Sequence, residues 1–293
     1  NRRSLLLLMA FCFLPGQALA AGLPELHGFG EISYGAKVSD DKTKRDNFNL
    51  LEQRLQLKTS YMFEEGYWAE KGGVLHFRGD FFVDGYYGGK TGFDLREMNF
   101  SFTPVSFMDV KLGRQVLTWG TGDYLFINDM FPKDYVSFFI GRDDEYLKKP
   151  SDAVRVSLYP SGANVDVIVI PVFEPNSIAQ GGRLSFFDSF QREIAGTNSD
   201  RHLVEPAWRP SNNEYALRLY RGWGSHEYAF YYFRGRDKNP RSYLDEAARR
   251  LYYERLDVYG VSWRGPFASG VGNVEFGYQY SRDDTGGGNR LVE

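Results

Sequence analysis

Apolar and polar residues alternate with a period of two along most of the chain. Ile32, Tyr34, Ala36 and Val38 interleave with Glu31, Ser33, Gly35 and Lys37. Leu51, Leu55, Leu57, Thr59, Tyr61 and Phe63 interleave with Glu52, Arg54, Gln56, Lys58 and Ser60. The rhythm returns at 75–83, 98–102, 108–112, 154–158, 165–173, 215–219, 228–232, 259–263 and 274–280. Side chains of a strand point alternately to opposite faces, so this period predicts about eleven β-strands. No helical stripe persists over a long window. The stretch from Glu246 to Arg255, EAARRLYYER, reads as a short helix.

A soluble β-sandwich also alternates, so alternation alone does not fix the class. Two further features do more. The strands are long, and one face carries full charges while the other carries large aliphatic and aromatic residues. The connections also run alternately long and short: 118–151, 174–212 and 234–254 are long, whereas 104–107, 160–163, 222–225 and 265–272 are tight. Outer-membrane barrels combine lipid-facing and lumen-facing alternation, short periplasmic turns and longer outer loops. The expected fold is therefore all-β, a transmembrane antiparallel up-and-down β-barrel. Tyr61, Tyr67, Trp68, Tyr86, Tyr87, Phe107, Trp119, Tyr124, Tyr231, Tyr232, Trp263 and Phe267, where strands meet loops, are expected to form interface girdles.

Composition narrows the picture. Of 293 residues, 17% are aromatic, which excludes a disordered chain, and the net charge of −3 speaks against nucleic acid as a partner. Mean hydropathy is negative, which excludes a polytopic helical membrane protein. At the N-terminus, Arg2 and Arg3, the apolar run Leu5–Leu14 and Ala18-Leu19-Ala20 form a signal-peptide pattern over residues 1–20. Its removal takes away Cys12, the one cysteine. Residues 21–293 are expected to be a single outer-membrane barrel domain. The chain begins with Asn1 and stops in a Gly-rich stretch after a strong strand pattern. The expectation is a piece of a longer chain, lacking its C-terminal strands, with about 14–18 strands in all.

The connection 118–151 is too long for a simple turn and too aromatic for disorder. It is expected to fold into the barrel mouth and narrow the pore. Charged rings set selectivity in channels. The candidate constriction residues are Asp123, Asp129, Lys133, Asp134, Arg142, Asp143 and Asp144 in the loop, with Arg54, Arg78, Lys111 and Arg114 on the lumen face. His27, His76, His202 and His226 have no ligand spacing, so no metal and no cofactor are expected. No nucleophile motif such as G-x-S-x-G occurs, so no enzymatic role is expected. A barrel enzyme acting on lipid or glycan at the mouth would need a convergent Ser/His/Asp set, and the sequence alone shows none.

Leu112-Gly113-Arg114-Gln115 followed by Trp119-Gly120 resembles a segment of Gram-negative outer-membrane porin-like barrels, in a large and poorly characterised family. Ile170-Pro171-Val172-Phe173-Glu174-Pro175 and Glu52-Gln53-Arg54-Leu55 agree with it. The resemblance implies a single-chain antiparallel barrel in the bacterial outer membrane and no agreed substrate. The leading expectation is a passive channel for small solutes, in contact with outer-membrane lipid. A structural barrel serving a periplasmic electron-transfer or lipid-transport partner is the alternative, and homo-oligomerisation stays open.

Overall fold

The computed structural model describes residues 24–45, 47–122, 124–188, 192–245, 248–283 and 290–292. The expected signal peptide and Asp123 lie outside them. The chain runs β1 (Leu26–Ala36), β2 (Phe48–Met62), helix α1 (Gly66–Glu70), β3 (Val74–Asp84), β4 (Lys90–Val105) and β5 (Met108–Val116). Helix α2 (Tyr135–Ile140) sits in the long connection to β6 (Pro150–Leu158) and β7 (Asn164–Ile170). Three short strands follow: β8 (Phe186–Asp188), β9 (Glu193–Ala195) and β10 (His202–Val204). Next come β11 (Glu214–Trp223), β12 (His226–Arg236), the short β13 (Ser242–Asp245) and β14 (Arg250–Tyr252), then β15 (Arg255–Phe267), β16 (Gly270–Ser281) and β17 (Arg290–Val292).

The long strands and β17 form one 12-stranded sheet, each strand beside its long-strand neighbours in sequence. Pairing is antiparallel throughout, as in β1–β2, β7–β11 and β15–β16. Each of the eleven stretches of period-two alternation lies in or overlaps one of these strands. The sheet is open among the described residues: β1 pairs only with β2, and β17 only with β16. The tight turns, such as Gly224 with φ 59° between β11 and β12, gather at one end. The long connections gather at the other.

Burial inverts the arrangement of a water-soluble sheet. Arg54 is 6% exposed while its neighbour Leu55 is 47% exposed. On the loop-covered, inner face Glu52, Gln56, Asp80, Asn99, Asp166 and Glu214 are buried. On the outer face Phe81, Phe93, Leu217, Phe230, Tyr259 and Val274 are open. Charged residues are almost never fully buried unless paired, and apolar residues normally fill interiors, so this surface is built for an apolar surrounding. Among the described residues, no helix is long and apolar enough to cross a membrane.

Several expectations need correction. The stretch 248–255 is not helical. Leu251 is fully buried where β14 pairs with β10 and β13, and that pairing outweighs the local helix preference of Ala and Arg. Tyr86, Trp119 and Tyr231 are buried and do not belong to a girdle. An outer aromatic cluster does form at the tight-turn end. There Trp68 meets Phe100 and Phe102 edge-on at 4.9 and 5.3 Å, and Tyr61 meets Phe63 at 5.2 Å.

Candidate functional site

The inner face is occupied by the connection 117–149, which is fastened to both flanks of the sheet. At the β2–β4 flank, Arg142 Nη2 donates to Glu52 Oε2 at 2.5 Å. Arg54 bonds Glu52 at 2.9 Å and Asp80 Oδ2 at 2.7 Å. Tyr146 lies between two guanidinium groups, with Arg54 4.6 Å and Arg96 4.9 Å from its ring centre. Arg96 also donates to the carbonyls of Glu145 and Lys148 at 2.8 and 3.0 Å. Glu145 accepts from Gln56 at 2.7 Å and from Arg78 at 3.3 Å. Buried charges persist only when so paired, and removing one partner strands the other.

At the opposite flank Glu275 on β16 takes hold of the loop. Its carboxylate accepts from the Thr121 backbone N–H, the Thr121 hydroxyl at 2.9 Å, and the Asn128 amide groups at 3.4 Å. Glycines permit this approach. A Cβ on Gly260 would stand 1.8 Å from Asn128 Oδ1, and Gly120 adopts φ +86° with Glu275 Oε1 2.8 Å from its Cβ position.

Between the flanks the inner face turns apolar, contrary to a uniformly charged lumen. Leu117, Trp119 and Phe131 of the loop pack on Ile168, Ala216, Ala229, Tyr231, Phe233, Leu256 and Val258. Trp119 contacts Phe131 at 5.1 Å and Tyr231 at 5.9 Å between ring centres. The small Ala216 and Ala229 leave room for these rings.

The structure divides the residues proposed from sequence. Arg54, Arg78 and Arg142 converge on the β2–β4 flank. Lys111 is inward, opposite Ser101 and Arg155. Arg114 faces the other way: register sets it opposite Met98 on the outer face, where it lies 3.4 Å from Asp152. Asp129, Asp134 and Asp143 hold the loop's own shape. Asp134 caps α2 by accepting from Ser137 N at 2.9 Å, and Asp143 accepts from Glu145 N at 2.9 Å. Asp129 accepts from Thr118 at 2.8 Å and pairs with Lys133 at 2.9 Å. Burial drives the Lys133 ammonium below its ordinary value, against the pull of Asp129. Asp144 meets the Tyr124 hydroxyl.

Glu52, Gln56, Asp80, Arg96, Glu145, Tyr146 and Glu275 were not among the constriction residues expected from sequence. Glu52, Gln56, Asp80 and Glu275 lie at inward strand positions, and for them that parity was the available signal; Arg96 is the extra residue where the β3–β4 register shifts, which alternation does not reveal. Among the described residues no cluster of three or more metal-binding side chains occurs.

No functionally curated protein matches the chain. Among solved structures it is similar to a triple mutant of the Rhodopseudomonas blastica porin, at 10% identity and a TM-score of 0.37, covering 89% of this chain and 85% of that one. The family model described as "Protein of unknown function (DUF1302)" matches residues 40–285. The chain belongs to that family.

Proposed function

We propose that this protein is a bacterial outer-membrane channel for small polar solutes, with passage governed by the connection 117–149. The observation that supports this is the inverted sheet. An exposed apolar outer face backs onto a buried charged inner face, and the loop is fastened across that inner face. In hydrocarbon an unpaired strand edge leaves backbone groups unsatisfied, so the sheet closes into a barrel in the membrane. Residues 1–20 direct export, the tight turns lie in the periplasm and the long connections face outward. Outer-membrane lipid contacts the outer face, and solutes pass between the loop and the strands. Arg54, Arg78, Lys111 and Arg142, with Glu52 and Glu145, set the charge along that path.

Planar-bilayer recording from the purified full chain tests this. Discrete conductance steps are expected. A folded, membrane-inserted protein that conducts nothing would refute the channel.

A further inference from the structure

The fold brings together a serine, a histidine and a glutamate that lie far apart in sequence. Ser60 on β2, His76 on β3 and Glu97 on β4 sit on the inner face of three adjacent strands. Ser60 Oγ lies 2.9 Å from His76 Nδ1. His76 Nε2 lies 3.2 Å from Glu97 Oε2. Arg78 Nε, 3.5 Å from the same carboxylate oxygen, helps to fix its position. With Glu97 accepting the Nε2 proton, Nδ1 is left as the acceptor for the serine hydroxyl. This is the order of contacts that activates a serine nucleophile: nucleophile to base, base to an orienting carboxylate.

The group is accessible. Ser60 is exposed, and it lines with His76, His27, Lys58, Tyr61 and Met62 a cavity of about 600 Å³ at the tight-turn end. That size suits a small organic ligand. Lys58 stands on the same face two positions before Ser60, opposite His27 and Arg78, and brings positive charge to a cavity that Glu25 and Glu64 also line. None of these groups belongs to the fastening of the loop except Arg78.

We propose that Ser60, His76 and Glu97 form a hydrolytic centre for small carboxylic esters entering this cavity. Ser60 Oγ attacks the ester carbonyl carbon as His76 Nδ1 takes the hydroxyl proton. The bond to the alcohol then breaks, and His76 returns the proton to the departing oxygen. Water attacks the acyl-serine through the same base, releasing the carboxylic acid and restoring Ser60. Ser60 and His76 are the catalytic residues, and Glu97 is a positioning residue. This activity does not depend on the channel reading.

The full-length protein, folded in detergent, is tested with p-nitrophenyl butyrate and with a fluorophosphonate probe read by peptide mass spectrometry. The probe is expected on Ser60, with ester turnover lost in Ser60→Ala. His76→Gln is expected to lower turnover by about 100-fold or more. Glu97→Gln should lower kcat with KM kept, and Glu97→Asp should recover part of the loss. Ser106→Ala, in the turn between β4 and β5 and outside the cavity lining, should behave as the parent. Heat-modifiable gel migration confirms that each variant is folded. No probe on Ser60 in folded protein, or turnover in Ser60→Ala equal to the parent, would overturn the proposal.

Discussion

Arg142 reaches Glu52 across 90 positions of sequence, with Nη2 2.5 Å from Oε2. The contact ties the loop to β2 at a point where the Glu52 side chain is 4% and the Arg142 side chain 16% exposed. Arg142→Ala should free this end of the loop, and single-channel conductance should rise. A double-mutant cycle with Glu52→Gln, read by chemical denaturation of the folded protein, should give a coupling of about 1–3 kcal/mol. A coupling near zero would remove this pair from the fastening.

The opposite end depends on Glu275 and on the space at Gly260. Gly260→Ala places a methyl where Asn128 Oδ1 now sits, 1.8 Å away, so Asn128 must withdraw. Glu275→Ala removes the acceptor shared by Thr121 and Asn128. Both variants should raise hydrogen exchange at 120–128 while leaving β15 and β16 protected. Exchange unchanged at those residues would show that the loop is held from elsewhere.

Trp119 is buried between Phe131 and Tyr231. Truncation to alanine should cost about 3–5 kcal/mol of stability by denaturation, because the rigid sheet beneath cannot collapse into the vacated volume. Trp263, on the outer face with its indole N–H on His226 at 3.2 Å, should cost less when replaced by Phe.

In the connection between β1 and β2 the Lys37 ammonium donates to Asp41 at 2.8 Å, and Asp41 also accepts from the Thr43 N–H at 3.0 Å. Burial pushes the Asp41 carboxyl up, but the Lys37 ammonium and the Thr43 hydroxyl and N–H bonded to it more than reverse this, so it ends below the ordinary 3.8. A depressed carboxylate contributes stability that is present above its unfolded value and lost as pH falls through the folded one. Protection of the 37–45 amides, taken relative to their intrinsic exchange rates at each pH, should therefore fall below about pH 4, and Asp41→Asn should abolish that step. The same loss of protection in Asp41→Asn would assign it to another group.

The strands were legible because period two survives from sequence to sheet: Arg54 and Leu55 differ in exposure as their polarity predicts for an inverted surface. Local loop chemistry was half legible. Asp134 and Ser137 stand at the spacing of a helix cap, and their structural role explains why Asp134 is not a free pore charge. The long-range partners were not legible. Thr121 and Glu275 lie 154 positions apart, and nothing in either neighbourhood encodes the other. Tyr231 was misassigned because Tyr231 and Tyr232 are adjacent aromatics of opposite parity. Only Tyr232 shares the outer face with Tyr259, 5.2 Å away, while Tyr231 turns inward to Ser262. Ser60, His76 and Glu97 were invisible as a set because register, not spacing, assembles them.

The most direct test of the inverted sheet compares Leu55 and Lys58 on the same strand, in protein lacking Cys12. Leu55→Cys and Lys58→Cys are each labelled with an environment-sensitive fluorophore and refolded into vesicles whose acyl chains carry bromine. Strong quenching at position 55 with little at 58 is the expected result, since the outer face meets hydrocarbon and the inner face meets water. Equal quenching at both positions, or none at 55, would contradict a sheet whose apolar face lies in the membrane.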